Sequence, residues 1–169
     1  MADVADEIGI SRASLYNYFH SRDELIDAIL KRMTEQLLSP DAALFTRPGH
    51  GIALSLRIAR RSPHAYLLLI RFAAGEPQYA SYRDAYHKVI LERTLDRAAR
   101  FFGDARAPFL RRVAAQSVIA FIESSVANWI ETGSEIEDPQ FIAWGEQALG
   151  ALFREWGYDV QKAALRQSA

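Results

Sequence analysis

Apolar side chains recur every three or four positions through most of this chain, which is the spacing of amphipathic α-helices. Glycine and proline separate the apolar runs, for example at Gly9, Pro40, Gly75 and Gly133. No run alternates between apolar and polar residues, and the sequence has no Asn-Gly or Asp-Gly hairpin turn. The pattern predicts an all-α protein, with helices over about 2–8, 12–19, 22–38, 50–61, 63–73, 78–102, 107–132 and 140–156.

Segment 39–50 is the best candidate for a domain boundary, because it holds Pro40, Pro48 and Gly49 and lacks a helical period. It predicts a headpiece with its connecting helix over residues 1–38, and a helical body over residues 48–169. Helix starts are marked by a capping box at Ser21–Glu24 and by proline after Ser62, Glu76 and Asp138.

The composition excludes several classes of protein. Half of the residues are hydrophobic, which is too many for a disordered chain. The net charge of −1 means that any nucleic-acid surface must be a local patch. The chain has no cysteine, which excludes disulfide scaffolds and thiolate metal sites and fits a reducing cytoplasm. No stretch of 18 apolar residues occurs, so we expect no contact with a membrane.

The amino-terminal segment has the spacing of a helix-turn-helix. Ala5 is followed by Gly9 four residues later and by Leu15 six residues after that, and Ser11 is placed to cap the second helix. Residues 9–22 contain no Asp or Glu but several polar and basic side chains, as a helix in the DNA major groove requires. Among them, Asn17 could pair with adenine or face solvent. An ordinary helical hairpin with a polar face is the alternative.

The run GISRASLYNYFHSRDEL over residues 9–25 resembles the signature of the TetR family of bacterial transcriptional regulators. The resemblance implies that Arg12, Ala13 and Ser14 contact bases, and that Tyr16, Tyr18 and Arg22 contact phosphates. The predicted DNA-binding residues are therefore Arg12, Ala13, Ser14, Tyr16, Asn17, Tyr18 and Arg22. The family places one further helix before the point that corresponds to Met1. We therefore expect the sequence as written to bind DNA poorly.

The resemblance also implies how the rest of the chain works. The helix over 22–38 would be a lever between ligand binding and the headpiece, and the helices over 107–132 and 140–156 would form a four-helix homodimer interface. Burial of both helices within one monomer is the alternative. The predicted function is a ligand-responsive repressor that binds a palindromic double-stranded operator as a dimer. The alternative is a helical ligand-binding or dimerisation module that has lost DNA binding.

The effector, a small molecule, would lie in a largely apolar pocket of the body. Its predicted wall residues are Phe72, Tyr82, Tyr86, Phe121 and Trp129. The tyrosine stripe that includes Tyr82 and Tyr86 is also compatible with simple core packing. Gln116, Glu123, Ser125 and Asn128 are polar positions near the interior that the sequence does not rank.

No pattern predicts catalysis, a metal site or a cofactor. Asp84 and His87 share a helix face, but a di-metal bundle needs a second such motif, so the sequence favours a surface pair. The arginines at 57, 60 and 61 and the acidic residues at 131, 135, 137 and 138 are interpreted as solvated surface.

Overall fold

The computed structural model describes residues 11–39, 50–102 and 108–156, apart from the side chains of Arg12 and of residues 97–102. Every regular element in these ranges is helical, which confirms the all-α class. The α-helices are α1 (Arg12–Tyr18), α2 (Arg22–Leu37), α3 (His50–Arg61), α4 (Pro63–Leu67), α5 (Ala80–Phe102), α6 (Pro108–Thr132) and α7 (Asp138–Glu155). The helix predicted over 2–8 and most of the predicted boundary segment lie outside the described residues.

Serine side chains begin the first two helices as predicted. The Ser11 hydroxyl accepts the backbone N–H of Ser14, and the Ser21 hydroxyl accepts that of Glu24, each at 3.0 Å. The Glu24 carboxylate accepts the backbone N–H of His20 at 2.6 Å, one residue before the cap. The two caps fix the ends of the short connection between α1 and α2.

Two predicted helix starts differ from the structure. The carbonyl of Glu76 accepts the N–H groups of Tyr79 and Ala80 at 2.8 and 3.0 Å, so a turn around Pro77 delays α5 to Ala80. The expectation that Pro77 is near a first helical position is therefore wrong. The last helix starts earlier than predicted, at Asp138, because a 3-10 turn over Glu135–Glu137 runs directly into it.

The segment predicted as a single helix over 63–73 forms three consecutive helical elements of different types. α4 ends at Leu67, a π-helical turn covers Leu68–Phe72, and a 3-10 turn covers Ala73–Gly75. The wider π turn keeps Leu69 and Ile70 buried. It also directs Arg71 to α6, where the guanidinium donates to Asn128 and Glu131 at 2.6 Å each.

The core lies where α3, α5 and α6 meet, with α2, α4 and α7 packed around them. Its largest fully buried side chains come from α2, α3, α4, the segment directly after α4, α6 and α7: Leu30, Met33, Ile52, Leu56, Tyr66, Leu69, Val126 and Leu149. α6 is long and apolar enough to cross a membrane by length and composition, but core helices pass the same test. In this fold α6 packs against α3 and α5, and it carries the buried charge of Glu123.

Gly145 allows α7 to approach α3. A Cβ atom at this position would lie 2.2 Å from Cδ1 of Ile52, whose side chain is fully buried. Gly150 on the same helix is different, because the nearest atom to an added Cβ is a guanidinium nitrogen of Arg154 at 3.6 Å. Gly145 therefore provides a close approach of two helices within one chain.

Arg60 and Asp138 are half-buried partners, so the interpretation as solvated surface is wrong for these two members of the charged clusters. The other members are exposed: Arg57, Arg61, Glu131, Glu135 and Glu137. Two guanidinium nitrogens of Arg60 donate to the two Asp138 oxygens at 3.0 and 2.7 Å, and the Trp129 indole donates to the same carboxylate at 2.7 Å. Arg60 also donates to the Gly133 carbonyl at 3.3 Å. The hydrogen bonds from Arg60 and then Trp129 hold the pKa of Asp138 below its usual range, against the opposing effect of burial.

Candidate DNA-binding surface and ligand-binding body

α1 presents most of its side chains to solvent. Leu15 is buried and Phe19 half-buried, as expected for residues that hold α1 on the protein. Tyr16 and Tyr18 are exposed by 47% and 75%, although large aromatic side chains are usually buried at least in part. The predicted DNA-contact positions around them are Ala13, Asn17 and Arg22, all exposed, and Ser14, which is half-buried.

The exposed positions of α1 lie on adjoining stripes of one short helix. Ala13, Tyr16 and Asn17 follow the spacing of one helical face, and Ser14 and Tyr18 follow the next. Ser14 also shares a 2.8 Å hydrogen bond with the Ser11 hydroxyl, which ties it to the cap. The side chain of Arg12 lies outside the described residues, so its contact with bases stays a prediction. The arrangement is a small polar surface with tyrosine hydroxyls, and tyrosine hydroxyls commonly contact DNA phosphates.

A comparison with known families matches the segment that carries this surface. The family model described as "Bacterial regulatory proteins, tetR family" matches residues 1–29, which include α1 and the first half of α2. The amino-terminal segment of the chain therefore has the sequence of a TetR-type helix-turn-helix headpiece, which supports a DNA-binding transcriptional regulator. A search of curated proteins finds no match to this chain.

The helix that follows α1, α2, lies along α5. The Tyr79 hydroxyl, just before α5, donates to the Asp23 carboxylate at 2.7 Å, and the Arg93 guanidinium donates to the Leu38 carbonyl at 2.9 Å. The hydrogen bond to Asp23, followed by burial, raises the pKa of Tyr79. These contacts join the start of α2 to the start of α5 and the end of α2 to a later part of α5, so the helices run in the same direction.

A buried charged cluster lies between α5 and α6. Glu123 on α6 is only 4% exposed, and both carboxylate oxygens lie 3.0 Å from Nε2 of His87. The Arg83 guanidinium donates to the same carboxylate at 3.3 Å. The interpretation of His87 as half of a surface pair with Asp84 is therefore wrong, because the imidazole faces another helix. Burial, and then the charge of Glu123, raise the pKa of the neighbouring Tyr86 well above its usual value.

The buried carboxylate is the feature that sequence reasoning missed. Glu123 is one of four polar positions that the pattern left unranked, and the others differ from it in burial: Gln116 and Asn128 are exposed, and Ser125 is half-buried. The one signal in the sequence that could have identified Glu123 is the position of an acidic residue close to the apolar stripe of α6. Its partners on α5 are 36 and 40 residues away in sequence.

The five predicted ligand-wall residues lie in different parts of the body. Tyr86 is buried beside Glu123, whereas Tyr82 is half-buried and close enough to Asp27 on α2 that burial and then this charge raise its pKa. Phe72 ends the π turn and is 58% exposed. Phe121 and Trp129 are half-buried on the side of α6 that faces α7. Their role as ligand contacts stays a prediction.

An aromatic groove of about 440 Å³ lies between the end of α6 and the start of α7. The Trp129 ring stacks on Phe141, with centroids 4.8 Å apart and planes 5° from parallel. Trp144 is half exposed, and its ring centroid lies 5.8 Å from that of Phe141. The full lining is Ser125, Asn128, Trp129, Thr132, Gln140, Phe141 and Trp144. Trp129 is thus the one predicted wall residue that lines this groove.

α6 and α7 leave several large apolar side chains in solvent. Leu110, Val113, Trp144 and Leu152 are exposed by between 36% and 54%, and Phe109 by 66%. Single exposed apolar residues are common, but a group on two adjacent helices is typical of an interaction surface. Within residues 11–39, 50–102 and 108–156, no group of three or more His, Asp or Glu side chains could hold a metal ion.

Proposed function

We propose that this protein is a ligand-responsive transcriptional repressor that binds a palindromic operator as a homodimer in the cytoplasm. The observation that carries the proposal is the solvent-facing side of α1, where Tyr16, Asn17 and Tyr18 project from a helix held by buried Leu15. Asn17 would read adenine in the major groove, and the two tyrosines and Arg22 would contact phosphates. Ala13 and Ser14 are small enough to let the helix approach the base edges.

The dimer is supported by the apolar faces of α6 and α7. Two copies related by a two-fold axis would pair these helices into a four-helix interface and cover Val113, Trp144 and Leu152. A two-fold pair would also present two α1 helices to successive major grooves, roughly 34–36 Å apart. A palindromic operator follows from that symmetry.

Ligand response is supported by the make-up of the body. The aromatic groove combines apolar walls with a few polar groups, which is typical of small-molecule sites. A ligand that binds better to the conformation unfit for DNA would lower operator affinity. A coupling free energy of about 1–3 kcal/mol corresponds to a change of 5–150-fold. The protein acts by binding, without catalytic residues or a cofactor.

DNA selection with a measured salt dependence tests the proposal. A random double-stranded DNA pool is selected on the full chain, and affinities for the recovered site are measured over a series of salt concentrations. Binding should weaken steeply with salt, because phosphate contacts release counterions. Arg22→Ala should weaken binding to all sequences alike and lower the salt slope by about 1, whereas Asn17→Ala should relax the preference at one base pair.

Arg57→Ala is the matched control, because Arg57 is also an exposed arginine but lies on α3 in the body. It should leave affinity and salt slope unchanged. Equal losses for Arg22→Ala and Arg57→Ala would contradict phosphate contact by Arg22. Recovery of no preferred site would favour the module that has lost DNA binding.

A further inference from the structure

We infer that the aromatic groove between α6 and α7 binds an uncharged, flat aromatic compound that carries a hydrogen-bond acceptor such as a carbonyl group. This inference rests on the proposed function and deepens it, since it names the chemical class of the small molecule to which the regulator would respond. The shape of the groove, its lack of charge and its free donor each limit what can bind there.

The groove exists because a small side chain lies between two large ones. On the face of α6 that is turned to α7, Ser125 lies one helical turn from both Phe121 and Trp129. The ring centroid of Phe121 lies 5.7 Å from that of Trp144, and Trp129 stacks on Phe141, so Ser125 leaves space between two aromatic contacts. A cavity of about 150 Å³ holds benzene, so the groove of about 440 Å³ has room for roughly two or three fused rings.

The wall formed by Trp129 is fixed without a ligand. Its indole N–H donates to Asp138 at 2.7 Å, and its ring stacks on the buried Phe141. An added Cβ atom at Gly133 would collide with the Trp129 ring, so the indole packs directly against the glycine backbone. Trp144 adds a half-exposed ring at the edge of the groove, on which a flat aromatic ligand can stack. A preformed wall lowers the ordering cost of binding.

The charge of the groove favours an uncharged ligand. The described residues that line it are all uncharged. The charged side chains next to them in sequence are already paired, Asp138 with Arg60 and Glu131 with Arg71. An ionised ligand would therefore lose its hydration without gaining a counter-charge.

Asn128 determines which polar group the ligand needs. The Oδ1 atom of its side chain accepts a hydrogen bond from Arg71 at 2.6 Å. The amide nitrogen is therefore the group left for a ligand, and an amide nitrogen can only donate. The neighbouring Thr132 hydroxyl donates to the Asn128 backbone carbonyl at 2.9 Å, so its proton is already used within α6. A carbonyl oxygen at one edge of the ligand would accept the hydrogen bond from Asn128.

Titration of the indole N–H signals in NMR spectra of the full chain tests this inference without DNA. The groove contains Trp129 and Trp144, whereas Trp156 follows the end of α7 and does not line it. Acetylnaphthalene, an uncharged two-ring ketone, should shift the signals of Trp129 and Trp144 and leave that of Trp156 unchanged. Naphthoate, the matching carboxylate, should bind at least about tenfold more weakly, because it finds no counter-charge.

Two substitutions test the donor and the space separately. Asn128→Leu should weaken acetylnaphthalene by about tenfold, the effect of one hydrogen bond of about 1.4 kcal/mol, and should not weaken ethylnaphthalene, which has no acceptor. Ser125→Leu fills the groove and should remove the response to both compounds. Ser81→Leu is the matched control, because it makes the same change at an exposed position on α5 and should leave binding unchanged. If Ser125→Leu does not fold, Trp144→Ala decides the question, because it removes a half-exposed ring and should abolish the response of Trp129.

Several results would overturn the inference. These are equal binding by Ser125→Leu and Ser81→Leu, no response of Trp129 and Trp144 to any of the three compounds, or tighter binding of naphthoate than of acetylnaphthalene. Shifts of the same two signals on dilution, with no response to the compounds, would assign the groove to a second copy of the chain and would also overturn it. A chain that binds acetylnaphthalene here but selects no DNA site would contradict the proposed function alone. A chain that selects a DNA site but does not respond to the compounds would contradict this inference alone.

Discussion

Gly145→Ala tests the packing that holds α7 on the body. The added methyl group would lie 2.2 Å from Cδ1 of Ile52, which is fully buried, so one of the two helices or the Ile52 side chain must move. Overpacking of this kind costs about 1–3 kcal/mol. The matched substitution, Gly150→Ala on the same helix, meets only an ordinary contact with Arg154 at 3.6 Å and should stabilise by about 0.5–1 kcal/mol through helix propensity. Both substitutions gain the same propensity, so the difference between them measures the clash.

Urea unfolding at one fixed protomer concentration measures this difference, because the apparent stability of the proposed dimer would depend on concentration. We expect Gly145→Ala to be less stable than Gly150→Ala by about 1–3 kcal/mol, which is several degrees in Tm for a chain of this length. Ile52→Val removes Cδ1 and leaves the next atoms at 3.4 Å, so it should restore most of the loss in the double variant. Equal stability of the two alanine variants, or no restoration by Ile52→Val, would refute the reasoning.

Three further predictions concern the interface and the dependence of stability on pH. Trp144→Glu should convert the proposed dimer to a monomer, because it places a charge on the exposed apolar face of α7. The measurement is the molar mass by light scattering, and an unchanged mass would argue against this interface. Burial raises the pKa values of Tyr66 and Tyr86, so their contribution to stability is present below the unfolded-state pKa of about 10 and is lost as pH rises above it. The absorbance of ionised tyrosine should therefore rise together with unfolding. Ionisation of these two tyrosines while the protein stays folded would contradict this. Asp138 has a lowered pKa, so its contribution to stability is present above about pH 4 and is lost as pH falls through the folded-state pKa. Asp138→Asn should therefore make the free energy of unfolding depend less steeply on pH on the acid side. A dependence as steep as that of the unmodified protein would contradict the lowered pKa of Asp138.

The local signals in the sequence predict the helices well. Caps at Ser11 and Ser21 and the three-and-four spacing place α1, α2, α3 and α6 within two residues of their observed ends. Capping and periodicity depend on neighbours within one or two turns, which the sequence contains directly. The same signals fail at residues 68–75, where π and 3-10 windings depend on packing against α2, α5 and α6.

The residues of the headpiece surface are predictable because their order along α1 is itself the motif. The contacts of the body are not, because they join distant residues. Arg60 and Asp138 are 78 residues apart, and each looks like an ordinary surface charge within its own segment. Glu123 and His87 also become partners only when α5 and α6 pack together.

Hydroxyl-radical footprinting of the full chain on its selected DNA site tests most directly the claim that two α1 helices read DNA as a symmetric pair. The account predicts two equivalent protected regions whose centres are one helical turn apart, roughly 10–10.5 base pairs, or a multiple of that spacing. It also predicts that Asn17→Ala weakens both regions equally. A single protected region, or protection that persists unchanged in the Asn17→Ala variant, would contradict it.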